Sequence, residues 1–94
     1  MKTIIRKIEM NRGKARLWIE GDSLQSMGWT KGKRYDVSFK GDQIELTACD
    51  NGKRKIAGTD SRPIIDINTD KLRQSVGNAE TVTVTVWQDQ ILIK

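Results

Sequence analysis

The sequence predicts an internally duplicated, mainly β domain with one short helical turn in each repeat. Three observations carry this. Two segments, 34–40 and 81–87, alternate apolar and polar residues at strand period. Helical spacing is confined to single turns around Leu24 and Leu72. The apolar pattern of the first half returns in the second at a spacing of 47–48 residues.

Taken in order, residues 3–9 (TIIRKIE) read as a short strand, with Ile4 and Ile8 of one parity and Arg6 between them. Arg6 and Lys7 are adjacent, so they point to opposite sides of it. Asn11, Arg12 and Gly13 read as a turn. In 15–20 (ARLWIE), Ala15, Leu17 and Ile19 face one way, and Arg16, Trp18 and Glu20 the other. Trp18 therefore covers a sheet edge or a dimer seam, or stacks on a nucleobase. Asp22 or Ser23 caps a turn that carries Leu24 and Met27, and Gly28 ends it. Trp29 packs back onto the core, and Thr30–Lys33 is a turn with two lysines beside Arg34.

Tyr35, Val37 and Phe39 then alternate with Arg34, Asp36, Ser38 and Lys40. Lys40–Gln43 makes a hairpin turn, and Ile44 and Leu46 begin the return strand. Residues 48–63 lack periodicity and read as a connector between two halves; Pro63 biases Arg62 toward an extended backbone. Residues 64–68 (IIDIN) form a strand with Ile65 and Ile67 inward. Asp70 caps a turn containing Leu72 and reaching Val76, and Gly77–Asn78 closes it. Val82, Val84 and Val86 alternate with threonines, a β-branched run unsuited to a helix. Gln88–Gln90 turns the chain, and Ile91 and Ile93 return.

The duplication rests on residue matches. Arg6–Lys7–Ile8 matches Arg54–Lys55–Ile56 at 48, as Ile19 matches Ile67 and Leu24 matches Leu72. The hairpins match at 47, Tyr35 with Val82 through Ile44 with Ile91, which one small deletion explains. A single domain of two tandem repeats, 1–47 and 49–94, follows. Each half alone leaves a hydrophobic sheet face bare, and two halves cover each other. The product is a monomeric pseudo-dimer, or a homodimer if an edge strand pairs two copies.

A chain of 94 residues makes one domain. Its net charge of +5 falls as +4 on residues 1–47 and +1 on 48–94. That excess favours polyanionic partners. No histidine is present, which excludes a conventional catalytic triad and most zinc sites. The lone Cys49 excludes an internal disulfide and fits a reducing, cytoplasmic compartment. No apolar run is long enough for a signal peptide or a membrane span, so no membrane partner is expected. GDSLQSMG and GWTKGK lack phosphate-loop spacing. The aspartates sit at cap, turn and exposed-strand positions rather than in a metal-binding pattern. No cofactor and no enzymatic activity are expected.

The cations are more informative. Arg12, Lys14 and Arg16 alternate, so an extended segment aims all three along one side, toward backbone phosphates. Lys53, Arg54 and Lys55 form a second cluster, and Arg62 follows. Arg6/Lys7 and Arg54/Lys55 occupy matched sites in the two halves. Each cluster is alternatively plain solvated surface.

The stretch WIEGDSLQSMGWTKGKRYDVSFKGDQIELT resembles the SymE-like branch of the AbrB-type swapped-hairpin superfamily. The resemblance is carried by Leu17–Ile19, Leu24, Gly28–Trp29, Gly32, Val37 and Ile44–Leu46; Trp29 stands where a phenylalanine is expected. It implies a swapped-hairpin-like β-barrel. AbrB-type proteins are typically DNA-binding dimers, regulators and antitoxins among them, and SymE-like proteins are described as toxins acting on RNA or the nucleoid. The resemblance places DNA contacts on Arg12, Lys14 and Arg16, with Lys53–Lys55 and Arg62 as the second-half counterpart. The match there is partial: Lys14 pairs with Arg62, but Arg12 with Asp60 and Arg16 with Ile64.

The expectation is a small DNA-binding regulator or antitoxin that grips double-stranded DNA by its phosphates. The alternatives are a protein–protein or inhibitor module anchored by Trp18, Trp29 or Trp87, and a SymE-like toxin acting on RNA.

Overall fold

A computed structural model describes residues 1–94. The chain runs β1 (Lys2–Lys7), β2 (Glu9–Asn11), β3 (Lys14–Glu20), α1 (Asp22–Gln25), β4 (Arg34–Lys40), β5 (Gln43–Ala48) and β6 (Arg54–Lys55). It continues through β7 (Ala57–Gly58), β8 (Pro63–Ile67), α2 (Asp70–Val76), β9 (Thr81–Val86) and β10 (Gln90–Ile93). All pairings between these strands are antiparallel.

Two sheets form. One is six-stranded in the order β1-β9-β10-β5-β4-β6, and the other four-stranded in the order β2-β3-β8-β7. Both orders read the same from either end once strands are matched at the 47–48-residue spacing: β1 with β6, β9 with β4, β10 with β5, β2 with β7, β3 with β8. The opening strand of each half lies against the hairpin of the other. β1 pairs with β9, and β6 pairs with β4.

Neither sheet closes into a barrel, which corrects the barrel expected from the sequence. The six-stranded sheet ends in two open edges, β1 and β6. The cause lies at two buried corners. Ile8 and Ile56 separate β1 from β2 and β6 from β7, and at each the chain leaves one sheet for the other. Their N–H groups donate to Glu80 O and Lys33 O, so the corners are pinned to the loops that enter β9 and β4. Backbone pairing therefore stops where a barrel would have to carry it round. For the same reason the strand expected over 3–9 is two strands, and the expected connector over 48–63 holds β6 and β7.

The core is filled from alternate positions. Ala15, Leu17 and Ile19 of β3 meet Ile65 and Ile67 of β8 on the inner face of one sheet. Ile44, Leu46, Val82, Val84, Val86, Ile91 and Ile93 line the other. Leu24 and Leu72 plug the space from the two helices. Trp29 is 0% exposed, stands edge-on to Tyr35 at 5.9 Å, and its indole N–H donates to Trp87 O at 2.7 Å. The helix starts differ from expectation. Gly21 and Thr69 occupy the N-cap positions, and neither gives a side-chain capping bond, nor do Asp22, Ser23 or Asp70 stand there. The β2–β3 hairpin turns on Arg12 and Gly13, with φ of 55° and 80°. Two consecutive left-handed residues match the twist of a two-residue hairpin loop.

Candidate nucleic-acid interface

The structure distributes the sequence-predicted cations over separate places. Arg6 and Lys7 line one surface hollow with Ile5, Glu9, Trp18 and Glu20. Arg12, Lys14 and Arg16 line a second with Asn11 and Asn68. Lys53 and Arg54 line a third, between β4 and the start of α2, with Asp36 and Lys71. No residue borders two of these three. Arg62 is exposed in a tight turn that its own N–H closes onto Thr59.

The expected stripe of Arg12, Lys14 and Arg16 is only partly available. Lys14 is exposed, and Arg12 is exposed on its turn rather than in line along a strand. Arg16 is occupied. Its Nε and one terminal nitrogen donate to the two carboxylate oxygens of Asp66, each at 2.9 Å. Its guanidinium also lies 4.6 Å from the Trp18 ring centroid. The hydrogen bonding to Asp66 raises the Arg16 pKa, against a partial desolvation that lowers it. A guanidinium already bidentate on a carboxylate has few donors left for a phosphate. The pair sits at the Leu17–Ile67 end of the β3–β8 ladder, where Trp18 is directly opposite Asp66, its counterpart at 48.

A different concentration of charge emerges where β4 meets β6. Arg34 stands directly opposite Lys55, and Tyr35 opposite Arg54. The turn before β4 is tied to the same place: Gly32 N–H donates to Ile56 O, and Ile56 N–H to Lys33 O, each at 2.9 Å. Lys31, Arg34, Lys53, Arg54 and Lys55 are thereby gathered at one edge of the six-stranded sheet. Like charges directly opposite each other weaken a strand pair. Neither ion pair in the protein, Arg16–Asp66 nor Lys40–Glu45, involves any of them. Arg34 donates to Gly52 O at 2.9 Å, which uses one nitrogen and leaves its charge unpaired. Lys33 is different: its Nζ donates to Gln88 O at 2.9 Å and lies 5.0 Å from the Trp29 ring, so it braces the core. Burial raises the pKa of Tyr35, and the nearby charge of Arg54 works against that rise.

The tryptophans separate as well. Trp29 was a candidate interface anchor and is fully buried, so it can anchor no partner. Trp18 is half-buried beneath Arg16. Trp87 is 37% exposed, with its N–H on Gln90 O and its carbonyl on Trp29.

No family model, curated protein or solved structure matches the chain. Nor is any helix long and apolar enough to cross a membrane.

Sequence reasoning missed Arg34 and Lys31 as members of the site. The sequence puts Lys31 in a turn and Arg34 at the start of a strand, and the strand that faces them, β6, is two residues long and leaves no periodic trace. The available signal was the RKI match. It gives Lys55 the same place in its half as Lys7, and hence a partner at the start of a hairpin strand.

Proposed function

We propose that this protein binds double-stranded nucleic acid, DNA in the first instance, through backbone phosphates. The observation that carries the reading is the β4–β6 edge, where Arg34 and Lys55 face each other with no carboxylate between them. Such a pairing costs the fold stability, and a line of phosphates offsets that cost. Lys31, on the turn that is tied to Ile56, extends the surface along the same edge. Lys14 and Arg12, in their separate hollow, are a secondary contact.

Nothing in this arrangement reads bases. The cations are flexible side chains on a sheet edge, not a helix or ribbon shaped for a groove. Affinity would come from counterion release, and specificity from elsewhere. The resemblance to AbrB-type proteins supports the same reading. A regulator or an antitoxin is the role that fits, with the chain as a pseudo-dimer of two tandem repeats.

Parallel titration against a mixed-sequence DNA duplex, single-stranded DNA and RNA at low salt tests this. Duplex binding that weakens steeply as salt rises is expected. Absence of duplex binding at low salt overturns the proposal, and cleavage of RNA by the purified protein would favour a toxin instead.

A further inference from the structure

The two hairpins differ in what lies beside them. In one, β1 covers β9: Ile4 stands opposite Val84 and Lys2 opposite Val86, and both valines are 0% exposed. In the other, the matched strand β6 reaches only Arg34 and Tyr35 of β4. The counterpart of Ile4 at 48 is Gly52, lodged so close that a Cβ there would lie 2.6 Å from the Tyr35 backbone. One residue on, Lys53 N–H leaves the ladder and donates to the Asp36 carboxylate at 2.9 Å. No strand pairs with β4 on that side beyond Tyr35. Val37 and Phe39, the counterparts of Val84 and Val86, remain only partly covered.

The space beside that free edge is a groove. Val37 and Phe39 form its floor, and Lys71, Gln74 and Ser75 of α2 its far wall. Lys53 and Arg54 stand at one end. Lys71 Nζ lies 5.9 Å from the Phe39 ring. Asp36 already accepts the Lys53 N–H, and Asp70 is the other carboxylate on the rim. The groove thus combines unpaired strand backbone, an apolar floor and a cationic excess.

We infer that this groove receives an extended acidic segment of a protein partner, added to the six-stranded sheet as a strand beside β4. The segment does for Val37 and Phe39 what β1 does for Val84 and Val86. Main-chain hydrogen bonds hold it, an aliphatic side chain fills the position that Ile4 fills in the other half, and its carboxylates meet Lys53, Arg54 and Lys71. A second copy of this chain is disfavoured as occupant, because β1 carries Lys2, Arg6 and Lys7 into a cationic site. The groove is separate from the nucleic-acid surface. Arg34 and Lys55 alternate with Tyr35 and Arg54, so they lie on the opposite face of the sheet.

The test uses the intact protein and a short synthetic peptide of alternating isoleucine and glutamate. Controls are its lysine-for-glutamate twin, a peptide of residues 1–7, and a DNA duplex. Amide exchange is read along β4 and β1. The acidic peptide should slow exchange at alternate amides within Val37–Lys40, and should bind about tenfold more tightly than the lysine twin. Phe39→Glu should abolish this, and Lys71→Glu, an exposed substitution that leaves the core alone, should weaken it severalfold. Protection along β1 instead, or equal protection of β4 by the lysine twin, by the 1–7 peptide or by duplex alone, overturns the inference. So does unchanged affinity in Lys71→Glu.

Discussion

At the two ends of the six-stranded sheet the same backbone pairing carries different chemistry. At one end Lys7 lies opposite Thr81, and Ile8 N–H donates to Glu80 O. At the other Lys55 lies opposite Arg34, and Ile56 N–H donates to Lys33 O. The apolar residues match across the halves, and so do the corners. Threonine and glutamate at the first end are replaced by arginine and lysine at the second. Most residues that make the fold are thus held in both copies, while cations from both copies are gathered at one end of the sheet only.

The likeness of the halves is broken most severely at Trp29, which belongs to one of them only. Its counterpart at 48 is Gly77. Trp29→Ala removes a fully buried indole and leaves Trp87 O without its donor. Chemical denaturation should register a loss of about 3–5 kcal/mol, and a loss below a quarter of that would mean the site can refill. Next comes Gly52→Ala, which puts a Cβ against the Tyr35 backbone and pushes β6 from β4. Overpacking of this kind costs roughly 1–3 kcal/mol. Amide exchange at Arg54 and Lys55 should quicken while exchange across the β1–β9 pair stays slow. Equal loosening at both ends would show that the ends are not independent.

The smallest effect is a pH dependence. Burial raises the Tyr35 pKa in the folded protein above the ordinary phenol value of 10.0. Below that value the phenol is neutral in both states, and its burial contributes in full. As pH rises past it the unfolded chain ionises first, so the folded state holds more protons and stability falls with pH. Thermal melts of wild-type protein should therefore drop more steeply above pH 10.0 than those of Tyr35→Phe. Parallel curves for the two proteins would place the alkaline loss elsewhere, among the lysines.

Much of the fold was legible because it is written in period-two apolar alternation. The strands expected over 15–20, 34–40 and 81–87 form, the last ending at Val86, and their inward faces are the residues expected: Leu17, Tyr35, Val82 and their neighbours. The barrel was not, because closure depends on whether pairing continues past Ile8 and Ile56, and no local pattern encodes that. β6 and β7 were missed because two-residue strands have no period. Of the candidate site, Lys53–Lys55 stood out as a run of like charge. Arg34 did not, since what makes it notable is the residue opposite, twenty-one positions away. Arg16 was misread for a related reason. Strand parity placed it outward beside Trp18, but its partner Asp66 comes from β8 across a ladder that only the folded chain supplies.

The most direct test swaps charge at the two ends. Duplex affinity is measured against salt for the wild type, for Arg34→Glu/Lys55→Glu, and for Arg6→Glu/Lys7→Glu at the other end of the sheet, where Lys7 is the counterpart of Lys55. Each phosphate that the protein no longer neutralises should flatten the slope of log affinity against log salt by about 1. The first pair of reversals is expected to remove most low-salt binding and flatten the slope, while the second pair changes both far less. Equal losses at the two ends, or an unchanged slope in Arg34→Glu/Lys55→Glu, would contradict the assignment of the polyanion surface to the β4–β6 edge.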